Sequence, residues 1–316
     1  METAYQKQAE MLANRVKKRF KHLRRHFARQ NIEVFRLYDW EIPEVRAVVD
    51  WYAGHLVIGE YTREQSTPEW LPMMGAAVAE ALGVTAGNVH LKERRAGKQD
   101  GKRYERIDHT NRKIVISEHD LRFYVNPWDY VDTGLFSDHR STRRMVREMA
   151  AGKDFLNLYC YTGSFTCYAA KGGARSTVSV DRSQTAVDWA RENMALNGIP
   201  AEGNALLQMP AFLFLHKARL DKQSFDLAVV DPPSYSTDRS GKPDFDIAKD
   251  HPDLLKRVVA IMRKGATILF STNHQGFEPR MAGLKVSGIE EITDQTIPED
   301  YVNKRRRIHR CWRILV

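Results

Sequence analysis

The stretch 225–235, F-D-L-A-V-V-D-P-P-S-Y, brings together the residue types most able to do chemistry. Its apolar run, Leu227 to Val230, reads as a buried strand. The run ends at Asp231, and Pro232 and Pro233 then stop any ladder pairing. Tyr235 follows. Such a corner at the carboxyl end of a strand is where open α/β sheets hold their ligands. Asp231 offers carboxylate oxygens, the proline peptides offer carbonyls without competing N–H donors, and Tyr235 offers a stacking face. A flat heterocycle fits that set. A strand end closed by a stiff turn has the same pattern, so the upstream elements decide the reading.

Upstream, D-F-L-N-L-Y-C-Y-T-G (154–163) is an apolar strand running into a turn with Gly163. A helical stretch, 164–171, leads to T-V-S-V-D (177–181), a β-branched strand ending in Asp181. Ser183 then reads as the N-cap of a helix over 184–197 that closes at Gly198. Strand, glycine turn, helix and a strand ending in an acid about 20 residues on follow nucleotide-binding βαβ logic. Gly163 is read as letting the backbone approach a cofactor, and Asp181 as accepting from two ribose hydroxyls. Tyr159, Cys160 and Tyr161 stand where a G-x-G-x-x-G would need glycines. A pyrophosphate requires that clearance, which disfavours NAD and FAD. An adenosine without phosphates fits better, and S-adenosylmethionine (SAM) is the leading candidate.

Four blocks resemble RlmK-type 23S rRNA guanine-7 methyltransferases, the carboxy-terminal half of the fused large-subunit rRNA methyltransferase RlmKL. They are D-Y-V-D-T-G-L-F-S-D-H-R (129–140), D-F-L-N-L-Y-C-Y-T-G-S (154–164), G-G-A-R-S-T-V-S-V-D-R-S (172–183) and V-D-P-P-S-Y-S (230–236). The similarity runs from the basic first helix to the terminal I-H-R-C-W (308–312). The resemblance implies an α/β fold: a seven-stranded Rossmann-like sheet preceded by a smaller, basic α+β domain. It implies methyl transfer from SAM to nitrogen 7 of a guanosine in 23S rRNA or a large-subunit precursor. It also implies cofactor contacts from Asn157, Tyr159, the turn Thr162-Gly163-Ser164, Asp181, Arg182 and Asp231. Asp138 and Arg140 are expected near the site, one of them pairing with the methionine carboxylate. Asp231, Pro232 and Tyr235 are expected to hold the target base. The chain departs from the class after its third strand, where an acidic residue usually meets the adenine amino group. Here A-L-L-Q-M-P-A (205–211) puts Met209 and Pro210 at that place, leaving Gln208 or a backbone carbonyl as acceptor.

Cytosine carbon-5 methylation needs a cysteine nucleophile. The place where related carbon-5 enzymes carry it reads F-S-T-N-H (270–274). Cys160, Cys167 and Cys311 read as packing residues. Nitrogen 7 needs neither thiol nor base, and alignment carries the reaction. Methylation of an exocyclic amine stays open, as does a non-catalytic RNA-binding module with a degenerate SAM fold.

The elements that must position these groups fall into two expected domains, 1–128 and 129–316. Residues 5–30 read as one helix whose stripe is Leu12, Val16, Phe20, Leu23 and Phe27. Residues 1–30 hold nine Lys or Arg against two Glu, and the whole chain has a formal charge of +9. That balance favours a polyanionic partner. Lys18, Arg25 and Arg29, the basic loop 94–103, and K-R-R-R-I-H-R (304–310) with Arg305 and Arg306 are the candidate RNA contacts. Strands are expected at 34–38, 46–52, 55–61, 89–94 and 112–118, with a helix over 68–82. After Asp231 a helix is expected at 248–262, a strand at 266–271 and a final antiparallel strand at 308–315. Three cysteines without C-x-x-C, and no H-x-E pattern, argue against disulfides and metal. No membrane span or signal peptide is visible, so a cytoplasmic protein is expected.

Overall fold

The computed structural model describes residues 4–62, 67–95, 106–237, 243–303 and 305–316. The basic loop beyond Arg95, and Lys304, lie outside them. The chain divides into two compact units, Met1–Ser137 with Glu299–Arg306, and Asp138–Pro298 with Arg307–Val316. Asp129, the expected start of the second domain, is held in the first. Its carboxylate accepts from the Thr110 and Asn111 amides, Asn126 Nδ2 and Arg106 Nη2 at 2.8–3.0 Å.

In the first unit, helix α1 (Ala4–Ala28) buries Leu12, Val16, Leu23 and Phe27, with Phe20 half-buried against the same core. Lys18, Arg25 and Arg29 are exposed. The helix packs on a sheet of order β1 (Val34–Asp39), β2 (Ala47–Tyr52), β3 (His55–Thr62), β4 (Val89–Arg95). Ala53 and Gly54, both at positive φ, close the β2–β3 hairpin. The parallel β3–β4 pair needs a crossover, supplied by α2 (Trp70–Leu82) ending on left-handed Gly83. Strands β5 (Ile114–Glu118) and β6 (Leu121–Val125) form a separate hairpin. Buried Arg36 pairs with Asp50 at 2.8 Å, and its backbone N–H donates to Asp300 on the returning segment. Arg306 on that segment pairs with Asp39 and donates to the Tyr61 hydroxyl, whereas Arg305 is exposed.

The second unit opens with α3 (Arg140–Met149). Strand β7 (Asp154–Leu158), α4 (Ser164–Lys171), β8 (Ser176–Asp181), α5 (Gln184–Leu196), β9 (Asn204–Gln208), α6 (Ala211–Leu220) and β10 (Phe225–Val230) follow. The hairpin β11 (Tyr235–Thr237)–β12 (Pro243–Asp246) leads to α7 (Ile247–Val259), β13 (Met262–Thr272), β14 (Gly288–Glu291), α8 (Thr293–Thr296) and β15 (Arg310–Leu315). The seven-stranded sheet has order β14-β15-β13-β10-β7-β8-β9. Its five strands from β13 to β9 are parallel, and β15 runs antiparallel to both its neighbours.

Side-chain alternation explains the two covered faces. Leu156, Leu158, Ala228, Val230, Ile268 and Phe270 pack with Phe214 and Leu215 of α6 and Leu254 and Leu255 of α7. Phe155, Leu227, Val229 and Leu269 pack oppositely, with Val146 of α3 and Phe165 and Ala169 of α4. The chain moves outward from β7 to β9 and then returns to β10 on the other side of β7. The carboxyl ends of β7 and β10 therefore flank a topological switch point.

At the amino ends, carboxylates clamp the same strands. Asp154 accepts from Arg175 and from Ser176 Oγ at 2.8 Å, and pairs with Arg263 at 2.8 Å. The Arg175 guanidinium, helped by Ser176 and Arg263, holds the Asp154 carboxyl well below the usual range. A depressed folded-state pKa contributes stability that is full above the unfolded value, about 4, and is lost as pH falls through the folded one. Asp154→Asn is therefore expected to lower the denaturant midpoint at pH 7, with the gap to the parent protein closing in strong acid. Denaturant melts of both proteins across that range check it; a gap independent of pH refutes it.

Candidate cofactor and base site

Three residues of the Y-C-Y-T-G turn after β7 are left-handed: Tyr159 (φ 60°), Tyr161 (φ 48°) and Gly163 (φ 74°). For two tyrosines this is unusual and costs on the order of 1–3 kcal/mol each. The surroundings hold the turn. Asp181 Oδ2 accepts from the Tyr161 amide at 3.0 Å. Asn193 Nδ2 on α5 donates to the Thr162 carbonyl at 2.9 Å, and the Cys160 amide donates to the Val180 carbonyl. A Cβ on Gly163 would stand 2.8 Å from the Ala190 Cβ. The glycine thus lets α5 pack against the turn as well as freeing its own backbone. Buried Asn157 donates to Thr166 Oγ1 at 2.9 Å, and Thr166 meets Ser179 Oγ at 2.6 Å, tying β7, α4 and β8 together.

Asp181 ends β8. Its second oxygen accepts from the Ser183 amide at 2.8 Å, and Ser183 caps α5 as the sequence implies. Burial pushes the Asp181 carboxyl upward, against these backbone hydrogen bonds. Each carboxylate oxygen has two lone pairs, so both keep acceptor capacity for hydroxyls. Gln208 stands beside Asp181 in the β8–β9 register, and its Nε2 donates to the Arg182 carbonyl at 2.8 Å. Its own carbonyl oxygen remains an acceptor beside the strand end. The Arg182 side chain reaches Asp244 at 2.9 Å and the Thr237 carbonyl at 2.7 Å, clamping the β11–β12 hairpin.

At the end of β10, Asp231 Oδ1 accepts from Ser271 Oγ at 2.6 Å. Pro232 is buried, and Tyr235 is half-buried at the start of β11. Ser234 Oγ meets Asn273 Oδ1 at 2.7 Å, joining this corner to the end of β13. The sequence motifs do not single out two buried histidines that stand here. His139 Nε2 lies 3.5 Å from Asp231 Oδ2, and His309 Nδ1 lies 3.0 Å from Asp138 Oδ2. Both fall within the blocks D-H-R and I-H-R, and that adjacency to the motif residues is their one local signal. Asp138, expected near the methionine carboxylate, thus has one oxygen engaged by His309. Arg140 is buried at the start of α3.

Asp138, His139 and His309 offer three donor atoms of metal-ligating type within 4.8 Å. The two rings are parallel within 8° and 4.3 Å apart, so their lone pairs run side by side instead of converging. Both His309 nitrogens are also hydrogen-bonded, to Asp138 and Thr296. The trio is therefore a stack, not a coordination sphere.

Over residues 43–291, more than half its length, the chain matches the S-adenosylmethionine-dependent methyltransferase family, and it belongs to that family. A candidate SAM-dependent methyltransferase from Streptococcus mutans superposes with TM-score 0.78 at 21% identity, covering 98% of this chain and 81% of that one. SMU.776, crystallised with S-adenosylhomocysteine (SAH), gives 0.74 at 21% identity over the same shares. The M. jannaschii tRNA m1G37 methyltransferase gives 0.54 at 12% identity, covering 95% and 77%. The methyl donor is SAM. Among the described residues no helix is long and apolar enough to cross a membrane.

Proposed function

We propose that the chain methylates nitrogen 7 of a guanosine in 23S rRNA or its large-subunit precursor. The observation that carries this reading is the acceptor-rich Asp231 corner without a usable thiol. Cys160, Cys167 and Cys311 are all buried. Burial pushes each thiol up, Cys167 to about 12, so none supplies the thiolate that carbon-5 chemistry requires. Nitrogen 7 presents a free lone pair at neutral pH and has no proton to lose. When bound, SAM supplies an electrophilic methyl group on a sulfonium. Asp231 stabilises the cationic product ring, Pro232 shapes the slot, and Tyr235 stacks on the base. Asp181 binds the ribose hydroxyls, Gln208 accepts from adenine, and the turn Thr162-Gly163-Ser164 backs the methionine portion. Arg140, with Asn157, Tyr159 and Arg182 in support, completes the cofactor side.

RNA as substrate is supported by the dense cations of α1 and by the tRNA methyltransferase among the similar folds. A duplex hides nitrogen 7 in a deep groove, so the base enters unpaired or extruded. One observation favours an exocyclic amine as the second reading: Asp231 has an imidazole beside it, as a group receiving a proton would. Mapping the modified nucleotide in rRNA from a deletion strain decides. Loss of one 7-methylguanosine supports the first reading, loss of an N-methylated amine the second, and an unchanged rRNA overturns both. The triple change Cys160→Ala, Cys167→Ala, Cys311→Ala is expected to retain methyl transfer.

Two further outcomes follow. Asp181→Ala loses one or two hydrogen bonds of roughly 1.5–3 kcal/mol each to the ribose, so SAM affinity by calorimetry falls at least about tenfold. Because Asp181 also holds the Tyr161 and Ser183 amides, circular dichroism must first show the variant folded; unchanged affinity in that protein removes the ribose role. Changing Lys18, Arg25 and Arg29 to Glu leaves the buried stripe of α1 intact. Affinity for rRNA should fall, and its salt dependence should become shallower by up to about one unit of log–log slope for each phosphate left unneutralised. Parent-like affinity and slope would make α1 a structural helix only.

A further inference from the structure

We propose that His139 positions Asp231 while staying uncharged, and that its burial against the stacked His309 ring keeps it so. The inference rests on reading Asp231 as the group that faces the base. Hydrogen-bond geometry supports it. Thr296 Oγ1 donates its only hydrogen to the Thr293 carbonyl at 2.8 Å. His309 Nε2 lies 3.0 Å from that hydroxyl, so the ring is anchored at both nitrogens. His309 Nδ1 lies 3.0 Å from Asp138 Oδ2. A bare nitrogen facing a bare carboxylate at that distance is repulsive, so a hydrogen lies between them.

His139 stacks on that ring at 4.3 Å, and both residues are buried. Protonating His139 would charge a buried ring stacked on a second imidazole and shielded from water. The groups facing His139 are Asp231 at 3.5 Å, Asp138 at 3.9 Å, the His309 ring, Thr142 Oγ1 at 3.5 Å, the Phe165 edge and Arg143 of α3. Burial is the largest influence and pushes His139 down; His309 and Arg143 act in the same sense, and the two carboxylates oppose. A neutral His139 turns Nε2–H toward Asp231 and leaves the carboxylate its full charge. A cationic one would neutralise that charge where the ring of the base becomes positive.

The test is an NMR titration of the imidazoles in the full chain, with pH profiles of kcat and KM. In the parent protein His139 is expected to remain neutral at pH 7, with hydrogen on Nε2. His309→Gln removes the stacked ring, so the His139 midpoint should rise by about one unit or more, carrying the acid limb of kcat with it. His139→Gln keeps a donor and removes the titrating ring; the acid limb should vanish, with kcat above that of His139→Ala. His139→Ala should lose about tenfold or more in kcat as Asp231 loses the imidazole 3.5 Å from its carboxylate, and KM for SAM should move less. A charged His139 at neutral pH in the parent protein overturns the inference, and so does an unmoved midpoint in His309→Gln. Equal kcat in His139→Gln and His139→Ala also overturns it. If the titrations behave as expected but the product is not 7-methylguanosine, the base assignment fails and the positioning role stands.

Discussion

Asp181 joins two backbone segments that sequence separates, accepting from the Tyr161 amide after β7 and the Ser183 amide before α5. Almost everything at the carboxyl edge of the sheet depends on that double acceptance. The turn at 159–163 is locally unfavourable, with two tyrosines in the left-handed region. It persists because amide, carbonyl and glycine are each fixed from a different element: Asp181 on β8, Asn193 on α5, and the Ala190 surface against Gly163. Other nucleotide-binding sheets use glycines to make room for a pyrophosphate. This chain makes an equally tight turn with two tyrosines and a single glycine in the left-handed region.

The parallel strands, the α1 stripe and the Ser183 cap are legible in the sequence because each carries a local signal. Period two or period 3.6 repeats within a few residues, and caps are read from one residue type. Helix α6 follows the same period, with Ala211, Phe214, Leu215 and Ala218 buried, but Leu213 and Leu220 are exposed and blur the stripe. The β11–β12 hairpin pairs only a few residues, one of them proline, so it has no alternation to read. Gly163 is legible as a required glycine, though its packing against Ala190 is not, because Ala190 lies on the next helix.

The histidine stack illustrates the other limit. Asp138 and His309 are separated by 171 positions, and nothing local to either tells that they meet. Their proximity is produced by the antiparallel return of β15 beside β13, the feature that sets this sheet apart from an all-parallel one. Long-range polar pairs of this kind become visible only once strand order is known. Arg306 behaves alike: it reads as a free cation in a basic run, yet Asp39 and Tyr61 hold it inside the first unit.

Four carboxylates mark the two ends of the central strands, and their partners differ in kind. Asp154 and Asp226, at the amino ends of β7 and β10, are met by the guanidinium groups of Arg175 and Arg263. Asp181 and Asp231, at the carboxyl ends, are met by backbone amides, a serine hydroxyl and an imidazole. The nearest guanidinium to Asp181 in sequence, that of Arg182, is turned away to Asp244. A carboxylate answered by guanidinium has its charge balanced and its lone pairs largely engaged. One answered by amides and hydroxyls is oriented but keeps spare acceptor sites. The same side chain thus serves as a clamp at one edge of the sheet and keeps open acceptor sites at the other. The difference lies in whether the fold brings arginine to it.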